Sequence, residues 1–185
     1  MVRLDNSIQK NKCEVSIYLK DRNKVISDLN KLEENWHQYF YNIKEISDEK
    51  LEKYLNEDSF YLEGAVCMNI NGYKILSFKH WDLIDQLLSY FVQALYEIIV
   101  EKRSTSTFFF PDQPLQVSFI DMGNSLTLQL EDDTKAKCLK WDFVNEFSLN
   151  AEFFFNKVDQ ITFKSNYKNE LMLLKEIKSN LNGTS

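Results

Sequence analysis

Glycine is scarce in this chain, with four residues in 185, and proline scarcer, with two. Four scattered glycines leave little material for a loop that cradles phosphate. The same scarcity argues against disorder and against a loop-rich scaffold. Only two histidines are present, and the three cysteines, Cys13, Cys67 and Cys138, make an odd count with no two at metal-ligand spacing. They read as small core residues of a reducing compartment. No Gly-x-Ser-x-Gly, no His-Glu-x-x-His and no singled-out pair of carboxylates occurs, so no nucleophilic, zinc-dependent or glycosidase-like chemistry is indicated. The first residues, Met1-Val2-Arg3-Leu4-Asp5-Asn6, lack the apolar core of a signal peptide. The most hydrophobic run, 83–100, is interrupted by Asp85, Gln86, Gln93 and Glu97, which rules it out as a membrane span. A soluble cytoplasmic protein with no cofactor and no metal is the expectation.

Phenylalanine, by contrast, is abundant at 14 residues, and apolar residues make up 44% of the chain. A compact domain of this size buries roughly 70% of the surface its unfolded chain exposes, and here the core should be rich in aromatic rings. The net charge is −6. That disfavours a nucleic-acid binder, which needs a basic footprint to displace counterions from phosphate. It suits a basic protein partner, or solubility alone.

One pattern repeats. Trp81-Asp82-Leu83-Ile84-Asp85-Gln86-Leu87 is echoed by Trp141-Asp142-Phe143-Val144-Asn145-Glu146-Phe147. Each copy opens an apolar-periodic run and follows an alternating, hairpin-like stretch. In the first unit the hairpin turns at Asn71-Gly72, the preferred pair for a type I′ turn. In the second, Leu115, Val117 and Phe119 alternate with polar residues, turn at Asp121-Met122-Gly123-Asn124, and return through Leu126, Leu128 and Leu130. Residues 135–140 offer a further short strand. The expected fold is therefore α+β: a mostly antiparallel sheet with helices packed on one face, built on a duplicated β-β-α unit. A single domain over 1–185 would comprise an extension (1–60), unit one (61–114), unit two (115–165) and a C-terminal helix (166–185).

Within the extension, Cys13, Val15, Ile17 and Leu19 alternate as a strand. Val25, Leu29, Leu32, Trp36, Phe40 and Ile43 predict a helix over 22–46, although 36–43 is aromatic enough to be a strand. Ser47 reads as the N-cap of a short helix over 48–56. The apolar triplet 108–110 predicts a strand buried on both faces, ended by Pro111-Asp112-Gln113-Pro114. Ile161-Thr162-Phe163 would match it in unit two, and Asn166 and Gly183 would bracket the last helix.

Several residues are candidates for function, each with a plainer alternative. Asp82 and Asp142 read first as helix N-caps, worth about 1 kcal/mol each. His80, Trp81, Asp82 and Asp85 would form the rim of a ligand site if an aromatic pocket lay between the units. Yet Lys140 stands at the position of His80 in the second copy, and metal sites need three or four converging ligands. Asp112 and Gln113 read as a turn tip, and Glu131, Asp132 and Asp133 as a solvated acidic turn. In the functional reading these five contact a protein partner. A third possibility is self-association through an aromatic helix face.

The run His80-Trp81-Asp82-Leu83-Ile84-Asp85-Gln86-Leu87-Leu88-Ser89-Tyr90-Phe91, followed by Phe110-Pro111-Asp112-Gln113-Pro114, resembles small acidic uncharacterised bacterial proteins of the toxin-immunity type. That resemblance covers the central half of the chain. It implies a stoichiometric binding role, as an inhibitor of a toxin partner, and carries over no residue-level site.

Overall fold

The computed structural model describes residues 12–56, 61–131, 134–162 and 166–182. Its architecture is α+β, with two antiparallel sheets. The first sheet holds β1 (Cys13–Lys20), β2 (Phe40–Asn42), β3 (Glu63–Ile70) and β4 (Tyr73–Leu76) in the order β2-β1-β3-β4, and the short β5 (Asp82–Leu83) also pairs with β3. The period-two pattern of β1 buries Val15, Ile17 and Leu19 on one face. Asn71 and Gly72 adopt φ of 55° and 85°, as a type I′ turn requires. Asn71 does more than turn the chain. Its Oδ1 accepts the Lys12 N–H at 3.0 Å and its Nδ2 donates to the Lys137 carbonyl at 3.0 Å, joining the first sheet to the second.

The second sheet is a meander of β6 (Thr105–Phe109), β7 (Gln116–Met122), β8 (Ser125–Leu130) and β9 (Thr134–Leu139), each paired with the next. Val117, Phe119, Leu126, Leu128, Ala136 and Cys138 point into the core. The turn between β7 and β8 is tighter than the sequence suggests, because Asp121 and Met122 still pair with Leu126 and Ser125. Gly123 takes φ of 76°, and Asp121 Oδ1 accepts its N–H at 2.9 Å.

Helices α1 (Leu32–Asn35), α2 (Asp48–Asn56), α3 (Ile84–Ile99), α4 (Lys140–Thr162) and α5 (Lys168–Asn182) complete the described structure. α3 packs on β3, β6 and β7, and α4 on β1, β8 and β9, while α5 lies against both helices. Phe91 of α3 sits at the centre, its ring 5.5 Å from Phe147, 5.9 Å from Phe119 and 4.8 Å from Phe108. Buried residues of both sheets and of α2 to α5 form one continuous cluster. No helix among the described residues is long and apolar enough to cross a membrane.

The expected helix over 22–46 is not formed. Val25 and Leu29 are exposed, and only α1 and a 3-10 turn over Trp36–Gln38 are helical. Asx turns compete with the helix: Asp21, Asp28 and Asn42 each accept the N–H two residues on, at 2.9 Å. The ambiguous 36–43 stretch resolves into the 3-10 turn and then β2, paired with β1. This excursion lays Leu32, Trp36 and Phe40 on Phe78, Tyr18 and Ala65, so the second face of the first sheet is covered by a small aromatic layer. Helices on one face therefore describe the second sheet better than the first. The apolar triplet is not buried on both faces, because β6 is an edge strand and Phe109 is 57% exposed. Ile161 and Thr162 belong to α4 rather than to a strand, since the helical pattern of Phe154 and Val158 runs through them, and Phe163 lies outside the described residues. Ser47 caps α2 as expected, its Oγ accepting the Lys50 N–H at 3.3 Å. Asn166 precedes α5, but its N–H is taken by Asp159 Oδ1 at 3.0 Å, and Gly183 lies outside the described residues.

Candidate functional site

The two Trp-Asp segments do not stand in equivalent places. The first begins after a 3-10 turn, Phe78–His80, closed by a capping box: His80 Nδ1 accepts the Ser77 N–H at 3.1 Å, and the Ser77 side chain accepts from Lys79. Burial pushes the His80 imidazole below its ordinary range. Asp82 is not the cap of α3, because the residue before that helix is Leu83, which makes no side-chain cap. Asp82 instead sits in β5, opposite Gly64, and is only 4% exposed. Its Oδ1 accepts the N–H of Leu83 at 2.6 Å and of Asp112 at 3.0 Å. Gln113 Nε2 donates to the Trp81 carbonyl. Burial raises the Asp82 carboxyl despite these donors. The loop 110–114 is thus clamped to the Trp81-Asp82 segment, and two sets of residues singled out separately in the sequence meet.

His80, Asp82 and Asp85 diverge. Asp85 faces α5, where Tyr167 O–H donates to its Oδ2 at 3.3 Å, and burial raises its carboxyl. Nearby, Ser89 Oγ donates to Glu170 Oε1 at 3.1 Å. No group of three or more His, Cys, Asp or Glu among the described residues could hold a metal ion.

The acidic candidates gather at one end of the second sheet. Asp112 is exposed and Gln113 half-buried, and Glu131, exposed at φ of 52°, donates its N–H to the Gln116 carbonyl at 2.9 Å. Asp132 and Asp133 lie outside the described residues. A shallow concavity of about 400 Å³ opens beside Asp112, lined also by Arg22, Tyr61, Glu63 and Leu83. Arg22 there lies over the Tyr54 ring, 4.2 Å from its centroid, and donates to the Tyr61 carbonyl.

The second Trp-Asp segment lies inside α4, which starts at Lys140, so Asp142 is a first-turn residue and not the cap. Trp141 is 47% exposed, whereas Trp81 is half-buried against the aromatic layer. Lys140 N–H donates to the Asn124 carbonyl at 3.0 Å, and its ammonium pairs with Asp121 at 2.5 Å, which fixes the helix start on the β7–β8 turn. A concavity of about 500 Å³ opens beside Trp141, with Ile98, Ile99, Leu139 and Leu181 as apolar lining and Lys102 and Asp142 as charged lining. Across Asp142 a second, of about 630 Å³, is lined by Cys13, Glu146, Leu149 and Lys178. Farther along α4, Leu149 and Phe153 are exposed as well.

No family model, curated protein or solved structure matches this chain.

Among the described residues the three cysteines offer no activated thiolate. Burial pushes the Cys13 and Cys67 thiols up to about 12 and Cys138 to about 11, which keeps all three protonated at neutral pH. What the surface does offer is a row of large apolar side chains, Trp141, Leu149 and Phe153, at four- and eight-residue steps on one helix. The sequence held a signal for this row, because these residues fall off the stripe of Phe143, Phe147, Ala151, Phe154 and Val158 that α4 buries.

Proposed function

We propose that the chain is a non-enzymatic, cytoplasmic protein-binding module, and that it docks its partner on the α4 face centred on Trp141. The observation that carries this is the exposure of Trp141 between two concavities, in line with Leu149 and Phe153. Tryptophan is enriched among the residues that dominate binding energy, and a row of exposed apolar side chains on one helix is a surface built for contact. A toxin is the favoured partner, with this chain as the immunity-type inhibitor. The net charge of −6 suits a basic partner by steering its approach. Asp112 and Glu131, exposed at the end of the second sheet, add to that field.

The test is a search of the neighbouring genes for a toxin-type protein, followed by a binding titration against it; neighbours without such a protein count against the toxin reading. Trp141→Ala is expected to weaken binding about thirtyfold, the effect of losing about 2 kcal/mol at a central contact. Asp112→Asn with Glu131→Gln is expected to slow association and flatten its salt dependence. Unchanged affinity in Trp141→Ala overturns the docking surface.

The concavity beside Trp141 supports a second reading, a small-molecule site. Its volume of about 500 Å³ falls in the range of ligand pockets, and it lies between α3 of the first unit and the β7–β8 turn of the second. A fragment screen read by tryptophan emission that finds no saturable ligand removes this reading.

A further inference from the structure

β6 is an edge strand, and its free side is unusually undefended. Natural sheet edges are blunted by lysine, proline, bulges or very short strands. β6 has none of these: its five residues, Thr105-Ser106-Thr107-Phe108-Phe109, carry no charge and no proline, and they pair with β7 without a register shift. The other edges differ. β2 is three residues long, and β4 and β9 lie against each other. Among the described residues no strand pairs with the outer edge of β6.

The hydrogen-bond parity of the β6–β7 ladder says which groups face outward. Asp121 N–H donates to the Ser104 carbonyl at 2.8 Å and Phe110 N–H to the Leu115 carbonyl at 2.9 Å. Backbone groups alternate along an antiparallel strand, so Ser104, Ser106, Phe108 and Phe110 bond to β7. Thr105, Thr107 and Phe109 then direct their N–H and C=O groups to the open edge. These three residues are also exposed, with Phe109 at 57%.

We propose that this edge pairs with the same edge of a second copy, antiparallel, about a two-fold axis through Thr107. That register satisfies the outward groups of all three residues at once: Thr107 meets Thr107 of the other copy, and Thr105 meets Phe109 in both directions. Phe109 covers the threonine opposite it on the solvent face of the sheet, a cross-strand pairing of aromatic and β-branched residues that favours strand association. Charge agrees with the register. Lys102 and Asp112 are both exposed and lie five residues before and after Thr107, so the two-fold brings each lysine to the aspartate end of the other strand. Two four-stranded meanders become one eight-stranded sheet. The contact is isologous and closes after two copies. The pairing shares Lys102 and Asp112 at its ends with the proposed docking surface, but its axis at Thr107 lies outside that surface, so a test at Thr107 separates the two.

The experiment measures the mass of the full chain by light scattering over a wide concentration range. Dimerisation takes it from 22.0 kDa to about 44 kDa. Thr107→Pro removes an outward N–H without touching a β6–β7 backbone bond, losing only the exposed Thr107–Ser118 hydroxyl contact, and is expected to hold the mass at 22.0 kDa with an unchanged circular dichroism spectrum. Thr107→Lys tests the same axis by setting like charges opposite each other, and is also expected to stay monomeric. Thr107→Cys is expected to form a covalent dimer under mild oxidation, since Cα atoms in a hydrogen-bonded pair stand about 5.5 Å apart. A wild-type chain that stays at 22.0 kDa throughout overturns the proposal. So does a dimer that survives both Thr107→Pro and Thr107→Lys, because it must use another surface.

Discussion

Asp82 and Asp112 are thirty residues apart, and the buried carboxylate of the first holds the backbone N–H of the second, at 3.0 Å from Oδ1 and 3.2 Å from Oδ2. The contact fixes the loop between β6 and β7 to the start of α3. Asp82→Ala would leave the Leu83 and Asp112 N–H groups without this acceptor. A hydrogen bond to a charged group contributes about 1.5–3 kcal/mol, so a loss of about 3 kcal/mol is expected in denaturant unfolding. Asp82→Asn, which keeps one acceptor oxygen, should lose less. Limited proteolysis should cut the Ala variant within residues 110–114 faster than the wild type.

His80 gives the protein a pH dependence of known sign. Burial lowers its folded pKa below the ordinary 6.5, and its Nδ1 must be unprotonated to accept the Ser77 N–H. Below 6.5 the unfolded chain binds a proton that the folded chain resists. Stability from this group is therefore complete above 6.5 and is lost as the pH falls through the lower folded value. His80→Asn, whose oxygen accepts without titrating, should show a flatter stability profile over that window in urea melts. Parallel profiles for the two proteins would contradict the assignment.

Gly64 leaves no room for a side chain. A Cβ there would stand 2.2 Å from the Tyr18 carbonyl oxygen and 2.9 Å from Ile84 Cβ. The first neighbour is backbone in a paired strand and cannot yield. Gly64→Ala is expected to cost about 3 kcal/mol or more and to accumulate as insoluble protein. Expression at wild-type yield with an unshifted melting temperature would refute the close approach of β3 to β1 and α3.

Two aromatic residues of α4 should respond in opposite ways. Phe147 is fully buried and stacks with Phe143, so Phe147→Ala should cost about 3–5 kcal/mol. Trp141 is half exposed, and Trp141→Ala should leave thermal stability within about 1 kcal/mol of wild type. A large loss from Trp141→Ala would make that residue part of the core and remove it from the docking surface.

Much of the architecture was legible in the chain. Period-two alternation located β1, β3, β7 and β8, and Asn71-Gly72 named its own turn. What failed was local competition and non-local contact. Asp21, Asp28 and Asn42 hold their own backbone in turns, which breaks a helical spacing that looks sound in one dimension. Trp-Asp followed by apolar residues suggested two identical helix starts. The carboxylates went to different uses: Asp82 holds the loop 110–114, and Asp142 lies in the first turn of α4. The candidate residues divided in the same way. Asp112 and Glu131 could be named as exposed turn residues, but that Asp112 would meet Asp82 required the fold. The exposure of Trp141 had a signal in the α4 stripe it falls off, but none in its own motif, since Trp81 in the matching segment is half-buried.

The two sheets also differ in how far along the chain their partners lie. Every strand of the second sheet pairs with its immediate neighbour in sequence, while Leu19 must find Gly64 and Cys13 must find Ile70. Closing long loops is slow, so the meander can assemble early and the first sheet has to wait. Refolding is therefore expected to build the β6–β9 meander first and to complete with the return of β1 to β3.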